Sequence, residues 1–472
     1  MPHFAVIAPP FTSHVRALAA LAEQLLQRGH RVSWIAQADV QAVLPVSAEN
    51  SGISGGSIAF HAVGNTSHPP GSLVQIVARA ANPGGPLGLR RVIADVAALT
   101  DMLCREAPAV LKTIRADALI ADQMEAAGGL VAESLGLPLI SVACALPVNR
   151  DPRVPLPVMP WGFAKDLRGE QLNEGSTRVY DWLMQPHARV IARHAAAFGL
   201  KNKQTIADCL SPLAQISQTT ASFDFARNPA FLPPHFHHVG PLRPPPQAQA
   251  PLDLLTDPAR PFVFASLGTL QGGRFGLFNR IAKACRALDM QLLLAHCNQL
   301  NPAQAQALKK AGATWVTGFA PQIAAVARAD IVMTHAGLNT VMDALAAGKP
   351  MLALPIAFDQ PGVAARVVHG GAGLRLLPPL ASSAAIGKAL QRLLHEKSFA
   401  ESAQTLGADV QTAGGVSLAA DITEAAAVGR KPVLAKSLAG SQSPAAPRAS
   451  ANANANAYAN GNTINGVADH GA

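Results

Sequence analysis

The chain has 472 residues, which is too long for one ordinary hydrophobic core and predicts two domains of typical size. Apolar residues make up 49% and charged residues 14%, so we expect a globular protein with large buried faces. The net charge of +9 suits phosphate groups or peripheral contact with an anionic membrane surface, whereas scattered Lys and Arg residues and 5% aromatics disfavour nucleic acid as a partner.

The five cysteines predict neither a disulfide framework nor a zinc site, because their number is odd, their spacing is wide and no C-x-x-C pair occurs. Reduced core cysteines in a cytoplasmic protein are expected. The start Met1-Pro2-His3 lacks the features of a signal peptide. The most apolar stretch, residues 126–148, contains Glu133 and is interrupted by Gly136 and Pro138, so no transmembrane helix is predicted.

Apolar runs and helical patterns alternate in the first half of the chain, which predicts a parallel sheet with helices on both faces. The predicted elements are strands at residues 3–8, 31–36, 118–121 and 139–143 and helices at residues 14–28 and 125–135. The Pro-rich segment at residues 152–175 is expected to be a mobile, irregular loop over this domain.

A Pro-rich connector separates this half from a second alternating series. The second series has predicted strands at residues 262–266, 291–295, 314–316, 331–333 and 351–354. From about residue 430, Ser, Pro, Ala and Ala-Asn repeats predict a disordered tail. The predicted fold is therefore α/β, with two Rossmann-like domains facing across a cleft. The expected parts are residues 1–240, a linker at 241–260, residues 261–429 and a tail at 430–472.

A phosphate site is predicted in the second domain. Thr334 and His335 end one predicted strand, and Gly337 begins a helix that runs to about residue 347. Free backbone N–H groups and the helix dipole converge at such a point. The spacing of four between His335, Asn339 and Asp343 predicts that all three share one helix face.

A base for an alcohol is predicted in the first domain. His14 begins the helix after the first strand and Asp122 ends another strand, so both are expected at the cleft. A carboxylate that accepts one ring N–H fixes the imidazole tautomer and leaves the other nitrogen to take a proton. The loop lacks G-x-G-x-x-G, which argues against a dinucleotide oxidoreductase. No D-x-D motif or His/Cys cluster is seen, so no metal requirement is expected.

The second-domain residues resemble the donor-binding motif of the UDP-glycosyltransferase superfamily. This resemblance implies the GT-B fold, UDP-glucose as donor co-substrate and no other cofactor, with the acceptor and the base in residues 1–240 and the donor in residues 261–429. The implied donor-binding residues are Ser13, Ser266, Gly268, Thr269, Phe319, Gln322, His335, Gly337, Asn339, Thr340, Asp343, Asp359 and Gln360.

The resemblance also implies a role for most of these donor-binding residues. Phe319 is expected to stack on uracil, with Gln322 near the base and ribose. The diphosphate is expected at His335, Asn339 and Thr340. Asp343 is expected on the ribose hydroxyls, and Asp359 and Gln360 on the hexose. Phe319 and Asp343 stand where that superfamily more usually has Trp and Glu.

Further stretches outside the donor motif are similar to the bacterial zeaxanthin glucosyltransferases of carotenoid biosynthesis. They are IAPPF (7–11), SHVRAL (13–18), SHPPG (67–71), TDMLCRE (100–106), DQME (122–125), ISVACALP (140–147), YDWLM (180–184), PLAQISQ (212–218) and ASLGTLQG (265–272). This resemblance implies inverting transfer of glucose to zeaxanthin or a similar carotenoid, with packing of the polyene near Met124 and residues 152–162.

Two other functions stay open on the sequence. Donor motifs do not specify acceptors, so a related glycosyltransferase acting on a polyketide, terpenoid or sterol fits the same residues. A nucleotide-sugar-binding protein without catalysis is the second alternative, although the presence of both His14 and Asp122 disfavours it.

Overall fold

Two parallel β-sheets flanked by helices organise the residues that the computed structural model describes, namely 1–44, 56–244 and 251–435. The first sheet has the order β3-β2-β1-β4-β5-β6-β7. Its strands are β1 (His3–Ile7), β2 (Arg31–Ala36), β3 (Ala59–Ala62), β4 (Ala118–Asp122), β5 (Leu139–Ala143), β6 (Ala214–Ser217) and β7 (Phe236–His238). The helices around it are α1 (Thr12–Gln27), α2 (Ser72–Ala81), α3 (Pro86–Ile114), α4 (Ala126–Leu135), α5 (Leu167–Leu183) and α6 (Gln185–Ala197).

The second sheet has the order β10-β9-β8-β11-β12-β13. Its strands are β8 (Phe262–Ser266), β9 (Gln291–Ala295), β10 (Trp315–Thr317), β11 (Ile331–Thr334), β12 (Met351–Ala353) and β13 (Gly373–Arg375). The helices that follow along the chain are α7 (Gly268–Gln271), α8 (Phe275–Ala287), α9 (Pro302–Ala311), α10 (Gln322–Arg328), α11 (Leu338–Ala346), α12 (Gln360–His369), α13 (Ser383–His395), α14 (Lys397–Thr412) and α15 (Gly415–Gly429).

The predicted fold class is confirmed, and its physical basis lies in the central strands. Every residue of β1, β4, β5 and β8 is buried, because helices cover both faces of each parallel sheet. Such strands appear in the sequence as short, nearly continuous apolar runs. The switch points of the two sheets lie where β1 pairs with both β2 and β4, and where β8 pairs with both β9 and β11.

The last helix differs from the predicted division of the chain. Helix α15 packs on α1, β5 and β6 of the first sheet, and its residues Val416, Ala419 and Ile422 belong to that core. Arg28, the C-cap residue of α1, also donates to Asp421 at 2.7 Å and to Glu424 at 2.9 Å. The predicted second domain at residues 261–429 therefore includes a helix that packs on the first domain. This helix buries its apolar face against the first sheet although it follows the second sheet in the chain.

The segment at residues 152–175 is only partly irregular. Helix α5 begins at Leu167, and the Asp166 side chain caps it by accepting from the Gly169 amide at 2.9 Å. The irregular part contacts the second domain, since Pro157 O accepts from the Gly362 amide at 3.0 Å. The prediction of a loop through residue 175 was wrong because it overlooked this N-cap signal.

A buried ion pair joins the two halves of the chain. Arg366 Nε of α12 donates to Asp224 Oδ1 at 2.7 Å, and Arg227 Nε donates to Asp224 Oδ2 at 2.8 Å. Burial raises the pKa of Asp224, but the two guanidinium groups outweigh it and hold that pKa well below its usual range. Asp224 is therefore ionised at neutral pH and ties α12 to the first domain.

The predicted linker and tail lie partly outside the described residues, at 245–250 and from residue 436 onward respectively. Among the helices that the described residues form, none is both long and apolar enough to cross a membrane.

Candidate active site

His14 and Asp122 lie side by side at the carboxyl ends of adjacent strands. Strands β1 and β4 pair in parallel, with Ile7 opposite Ala121, so the residues that follow them meet at one edge of the sheet. His14 Nδ1 is 2.7 Å from Asp122 Oδ2, and Asp122 Oδ1 accepts from the Met124 amide at 2.8 Å. Both carboxylate oxygens are thus occupied, which fixes the carboxylate and the ring that it holds.

The Asp122 carboxylate controls the charge state of His14. Burial lowers the pKa of His14, but the charge and hydrogen bond of Asp122 outweigh burial, with a further contribution from Asp359, so that the pKa is raised overall. The side chain of His14 keeps 15% of its surface exposed to the cavity, whereas that of Asp122 has none. With Nδ1 held by Asp122, Nε2 is left to accept a proton from a bound alcohol.

A third ligand-type group lies beside this pair. Ligand atoms of His14, Asp122 and Cys144 lie within 4.8 Å of one another, a cluster that the sequence did not predict because the three are far apart in the chain. Burial, and then the negative charge of Asp122, raise the pKa of the Cys144 thiol well above its usual range. The ligand atoms of His14 and Asp122 are already engaged with each other and with the Met124 amide, so the cluster is a hydrogen-bonded pair with a thiol beside it and does not fit an open metal site.

The residues of the predicted phosphate site lie where β11 ends and α11 begins. Gly337 is the N-cap of α11, and His335 lies before the helix because Ala336 takes a positive φ of 64°. The prediction that His335, Asn339 and Asp343 share one helix face is therefore wrong for His335. Burial lowers the pKa of His335 to about 4, so the ring is neutral at neutral pH.

Glycine is required on both sides of the His335 ring. A Cβ on Gly268 would lie 2.6 Å from His335 Cε1, and one on Gly337 would lie 2.6 Å from its Nε2. Gly268 also has a φ of +72°, which side chains rarely adopt. The absence of side chains at these two glycines lets the turn after β8 and the start of α11 approach one imidazole closely.

Arg243 lines the cavity beside Asn339 and Asp343, and the sequence analysis did not single it out. Its Nη2 donates to Asp343 Oδ1 at 2.9 Å and to Asn339 O at 3.0 Å, and its Nη1 donates to Asn339 Oδ1 at 3.2 Å. Gln322 Nε2 donates to the other Asp343 oxygen at 2.7 Å. The sequence around Arg243, beside a Pro-rich connector, does not indicate that this residue contributes to the site. Its hydrogen-bond partners are about 100 residues further along the chain.

Asp359 and Gln360 lie at the start of α12. Asp359 Oδ2 accepts from the Leu146 amide of the first domain at 3.2 Å, and burial keeps the pKa of Asp359 raised even though this bond and His14 lower it. Gln360 Oε1 accepts from the amides of Ile356 and Ala357, which leaves its NH₂ group for other partners.

A single cavity of about 850 Å³ brings most of the predicted site residues together. It is lined by Ser13, His14, Gly268, Thr269, Gln322, His335, Gly337, Asn339, Thr340, Asp343, Asp359 and Gln360. Three predicted residues do not line it. Asp122 lies behind His14, Ser266 is buried and accepts from the Gly268 amide at 3.4 Å, and Phe319 is 56% exposed on the loop after β10.

The same cavity extends between the helices of the first domain. Its apolar lining there includes Met124, Leu146, Leu156, Val158 and Met184. This part matches the region expected to pack a polyene. Glu125 and His187 are among the titratable side chains that line this part and that the sequence analysis did not single out.

Glu125 and His187 are connected through a buried threonine. The hydroxyl of Thr100 lies 2.7 Å from Glu125 Oε1 and 3.0 Å from His187 Nε2. Burial raises the pKa of Glu125 to about 7 and lowers the pKa of His187 to about 4. His187 is therefore neutral at neutral pH, whereas the Glu125 carboxyl is only partly protonated there.

Comparison with known proteins places this chain in a family. The family model for UDP-glucoronosyl and UDP-glucosyl transferase matches residues 5–409. The zeaxanthin glucosyltransferase of Pantoea ananas is 46% identical over 93% of this chain and 99% of its own length, and that of Pseudescherichia vulneris is 45% identical over 92% and 100%.

Solved structures share the fold at low sequence identity. The calicheamicin glycosyltransferase CalG4 superposes with a TM-score of 0.68 at 20% identity, covering 91% of this chain and 99% of that one. The glycosyltransferase of kitacinnamycin has a TM-score of 0.67 at 20% identity, covering 90% and 98%. The family match and the two relatives agree, and the chain belongs to the UDP-glucoronosyl and UDP-glucosyl transferase family.

Proposed function

We propose that this protein transfers glucose from UDP-glucose to the hydroxyl groups of zeaxanthin, giving the monoglucoside and then the diglucoside. The observation that carries the proposal is the His14–Asp122 pair, whose His14 lines the same cavity as the residues around the start of α11. The names of two relatives that match over nearly their whole length supply the acceptor. The apolar extension of the cavity is consistent with such an acceptor.

In the proposed mechanism His14 acts as the base. Its Nε2 takes the proton of the acceptor hydroxyl while the oxygen forms a bond to the anomeric carbon of glucose. The bond from that carbon to the β-phosphate oxygen breaks from the opposite face, so the configuration inverts and UDP leaves. Asp122 stabilises the imidazolium that forms. General-base catalysis of this kind contributes roughly 100- to 10,000-fold to the rate.

The donor roles form part of the same proposal. UDP would lie along the start of α11, with its phosphates at Asn339, Thr340 and the neutral His335, and with its ribose at Asp343. Gln322 and Phe319 would contact the base, Phe319 from the open edge of the site because its side chain is 56% exposed. Ser13, Ser266, Gly268 and Thr269 would complete the phosphate turn. Asp359 and Gln360 would bind the hexose.

We assign Arg243 to the diphosphate as well. A neutral His335 supplies hydrogen bonds but no positive charge to the leaving UDP. The Arg243 guanidinium already lies 3.2 Å from the Asn339 amide oxygen at the first turn of α11. A small rotation away from Asp343 would bring it to the phosphates and free the Asp343 carboxylate for the ribose. The cationic charge that the departing diphosphate requires would then come from this residue.

The proposed reaction needs no metal, because the three-residue cluster at His14 does not fit one and the helix start and Arg243 supply the stabilisation of charge. Contact with the inner face of a membrane is the further part of the proposal, since a carotenoid is lipid-soluble and the chain carries a net charge of +9.

Labelled UDP-glucose tests the proposal against its alternatives. Purified protein would be incubated with zeaxanthin in detergent micelles, and in parallel with a sterol and a polyketide alcohol, and the products separated by chromatography. We expect label in two successive, more polar zeaxanthin products. Label only in the sterol or polyketide would move the function to another lipophilic acceptor. Binding of UDP-glucose without transfer or hydrolysis would indicate a non-catalytic binding protein.

A further inference from the structure

A buried carboxyl group that the proposed transfer does not use lies in the apolar part of the cavity. Glu125 is only 3% exposed, and it lines the cavity together with Met124. The Glu125 amide donates to Asp122 O at 3.0 Å, which closes a turn after β4. The Cα atoms at the two ends of such a turn lie within about 7 Å of each other. Glu125 is therefore in the cavity wall next to the Asp122 that holds His14.

One oxygen of this carboxyl group is already occupied. Glu125 Oε1 accepts from the Ala127 amide at 3.0 Å and from the Thr100 hydroxyl at 2.7 Å. Thr100 has one hydroxyl hydrogen, which goes to Glu125, so Nε2 of the neutral His187 donates to the Thr100 oxygen at 3.0 Å. This chain of hydrogen bonds from His187 through Thr100 fixes the orientation of the Glu125 carboxyl group.

The other oxygen is free. Among the described residues no group donates to Glu125 Oε2, and Oε2 is not one of their fully buried polar atoms without a partner, so it keeps surface open to the cavity. Because two hydrogen bonds to Oε1 make it the less basic oxygen, the proton of the neutral carboxyl group is on Oε2. Oε2 donates a hydrogen bond in that form and accepts one in the ionised form. An unpaired polar atom at this depth favours a ligand that supplies its partner.

The protonation of Glu125 selects a hydroxyl as that partner. Burial, with a smaller contribution from Asp122, raises the pKa of Glu125 to about 7 although its two hydrogen bonds lower it, so both forms are present at neutral pH. A carbonyl oxygen only accepts and pairs with the protonated form alone. A hydroxyl both donates and accepts, so it pairs with either form. The hydroxyl that reacts belongs at His14 Nε2, so Glu125 requires a second one.

We propose that Glu125 Oε2 binds a second hydroxyl of the acceptor, on the carbon next to the hydroxyl that is glycosylated, so that the enzyme prefers acceptor rings with a vicinal diol. Since Glu125 and Asp122 end the same turn, the two hydroxyls belong to one ring. The proposal rests on the proposed function for the transfer of glucose to a lipophilic alcohol. Glu125 is then a specificity-determining residue, and Thr100 and His187 are positioning residues that act through it.

Acceptor discrimination by the wild type tests the proposal. The full chain would be given UDP-glucose with zeaxanthin and, in parallel, with a zeaxanthin derivative that carries a second hydroxyl next to each ring hydroxyl, both in detergent micelles. We expect kcat/KM for this diol to exceed that for zeaxanthin roughly tenfold or more, the effect of one hydrogen bond to a buried group that is otherwise unpaired. Equal values for the two pigments would overturn the proposal.

Two variants assign the preference to Glu125. Glu125→Met removes both oxygens at similar side-chain length, so the diol should lose its advantage over zeaxanthin. Thr100→Val leaves Oε2 in place but removes the bond that orients it, so the advantage should be intermediate, and this variant decides if Glu125→Met does not fold. The matched control is Asp95→Leu, which removes another cavity-lining carboxylate, held by Arg79 at 2.8 Å, and should keep the full advantage. An equal fall for both pigments in Glu125→Met would indicate a structural role and refute the assignment.

Binding without donor separates the subsite from the transfer reaction. Quenching of tryptophan emission by each pigment measures its affinity. If neither pigment is glucosylated but the diol binds the wild type roughly tenfold more tightly than it binds Glu125→Met, the proposed transfer fails and the subsite stands. If zeaxanthin is glucosylated and the diol has no advantage, the proposed function stands and the subsite proposal is wrong. Loss of zeaxanthin transfer in Glu125→Met, without a diol advantage in the wild type, would place Glu125 on the reacting hydroxyl and contradict a second one.

Discussion

Nδ1 of His14 lies 2.7 Å from Oδ2 of Asp122, although the two residues are 108 positions apart in the chain. The pairing of β1 with β4 brings them together, and the Met124 amide fixes the second carboxylate oxygen. This arrangement gives one ring nitrogen to the carboxylate and leaves the other for a substrate.

The pH dependence of transfer should follow this pair. Transfer requires the neutral imidazole, so the rate should rise with pH through a pKa that Asp122 keeps above the ordinary value of 6.5. In Asp122→Asn the charge is lost, and the rising limb of the profile should move to lower pH while the maximum rate falls about 100-fold or more. Initial rates between pH 5 and pH 9 measure both effects. If the rising limb of the pH–rate profile stays at the same pH in Asp122→Asn, a group other than His14 controls that limb.

Arg243→Gln should weaken the binding of UDP but not of uridine. A lost charge-assisted contact to the diphosphate corresponds to roughly a 10- to 100-fold loss of UDP affinity. Calorimetry with UDP and with uridine distinguishes a contact with the diphosphate from positioning of Asp343. If Arg243 only positioned Asp343, the affinities for UDP and for uridine would fall equally. Arg274→Gln is the control, since Arg274 also bridges the two halves of the chain, through Ala81 O at 3.1 Å, without contacting donor residues.

Asp224→Asn should destabilise the fold by about 3–5 kcal/mol, because it leaves two buried guanidinium groups without a carboxylate. The matched control Glu174→Gln removes a carboxylate from an exposed pair and should change the free energy of unfolding by less than about 1 kcal/mol. Urea unfolding measures both.

The penalty of Asp224→Asn also has an expected pH dependence. The folded-state pKa of Asp224 is lowered, so its stabilisation is fully present above the unfolded-state pKa near 3.9 and is lost as the pH falls toward the folded-state value. The difference in unfolding free energy should stay constant from pH 5 to pH 8 and shrink below about pH 4. A penalty that grows on acidification would contradict the assigned charges.

Chelators should leave the transfer rate unchanged. The pKa of the Cys144 thiol is raised by burial and by Asp122, so Cys144 offers no thiolate at neutral pH. Activity after dialysis against EDTA, with and without added Mg²⁺ or Zn²⁺, measures this, and Cys144→Ala should keep most of the wild-type rate. Loss of activity that only a metal restores would refute the metal-free mechanism.

Most strands were predictable because a short apolar run is visible in the local sequence, whereas β3, β6, β7 and β13 were not predicted. The predicted strands at residues 31–36, 139–143, 262–266 and 291–295 have the bounds found in the structure, since each is a short apolar run between polar or Gly/Pro-containing segments. The placement of α15 on the first sheet was not predictable, because its apolar face fits either domain and only tertiary packing decides between them.

The positions of the candidate site residues were predictable in part for a similar reason. Residues that end parallel strands or begin the helices after them meet at one edge of a sheet, which is why His14, Asp122 and Gly337 were identified. Arg243 and the Glu125–His187 group follow no such rule. Arg243 is recognised through its bonds to Asp343 and Asn339, and Glu125 through its link to Thr100, contacts that exist only after folding.

Product analysis with wild type and His14→Ala side by side tests the central claim most directly. Both proteins would be given UDP-glucose and zeaxanthin in micelles, and the pigments followed over time by chromatography and mass. The account predicts two successive wild-type products, heavier by one and then two hexosyl groups, and a rate reduced about 100-fold or more in His14→Ala. Zeaxanthin left unchanged by the wild type, or equal rates in the two proteins, would contradict it.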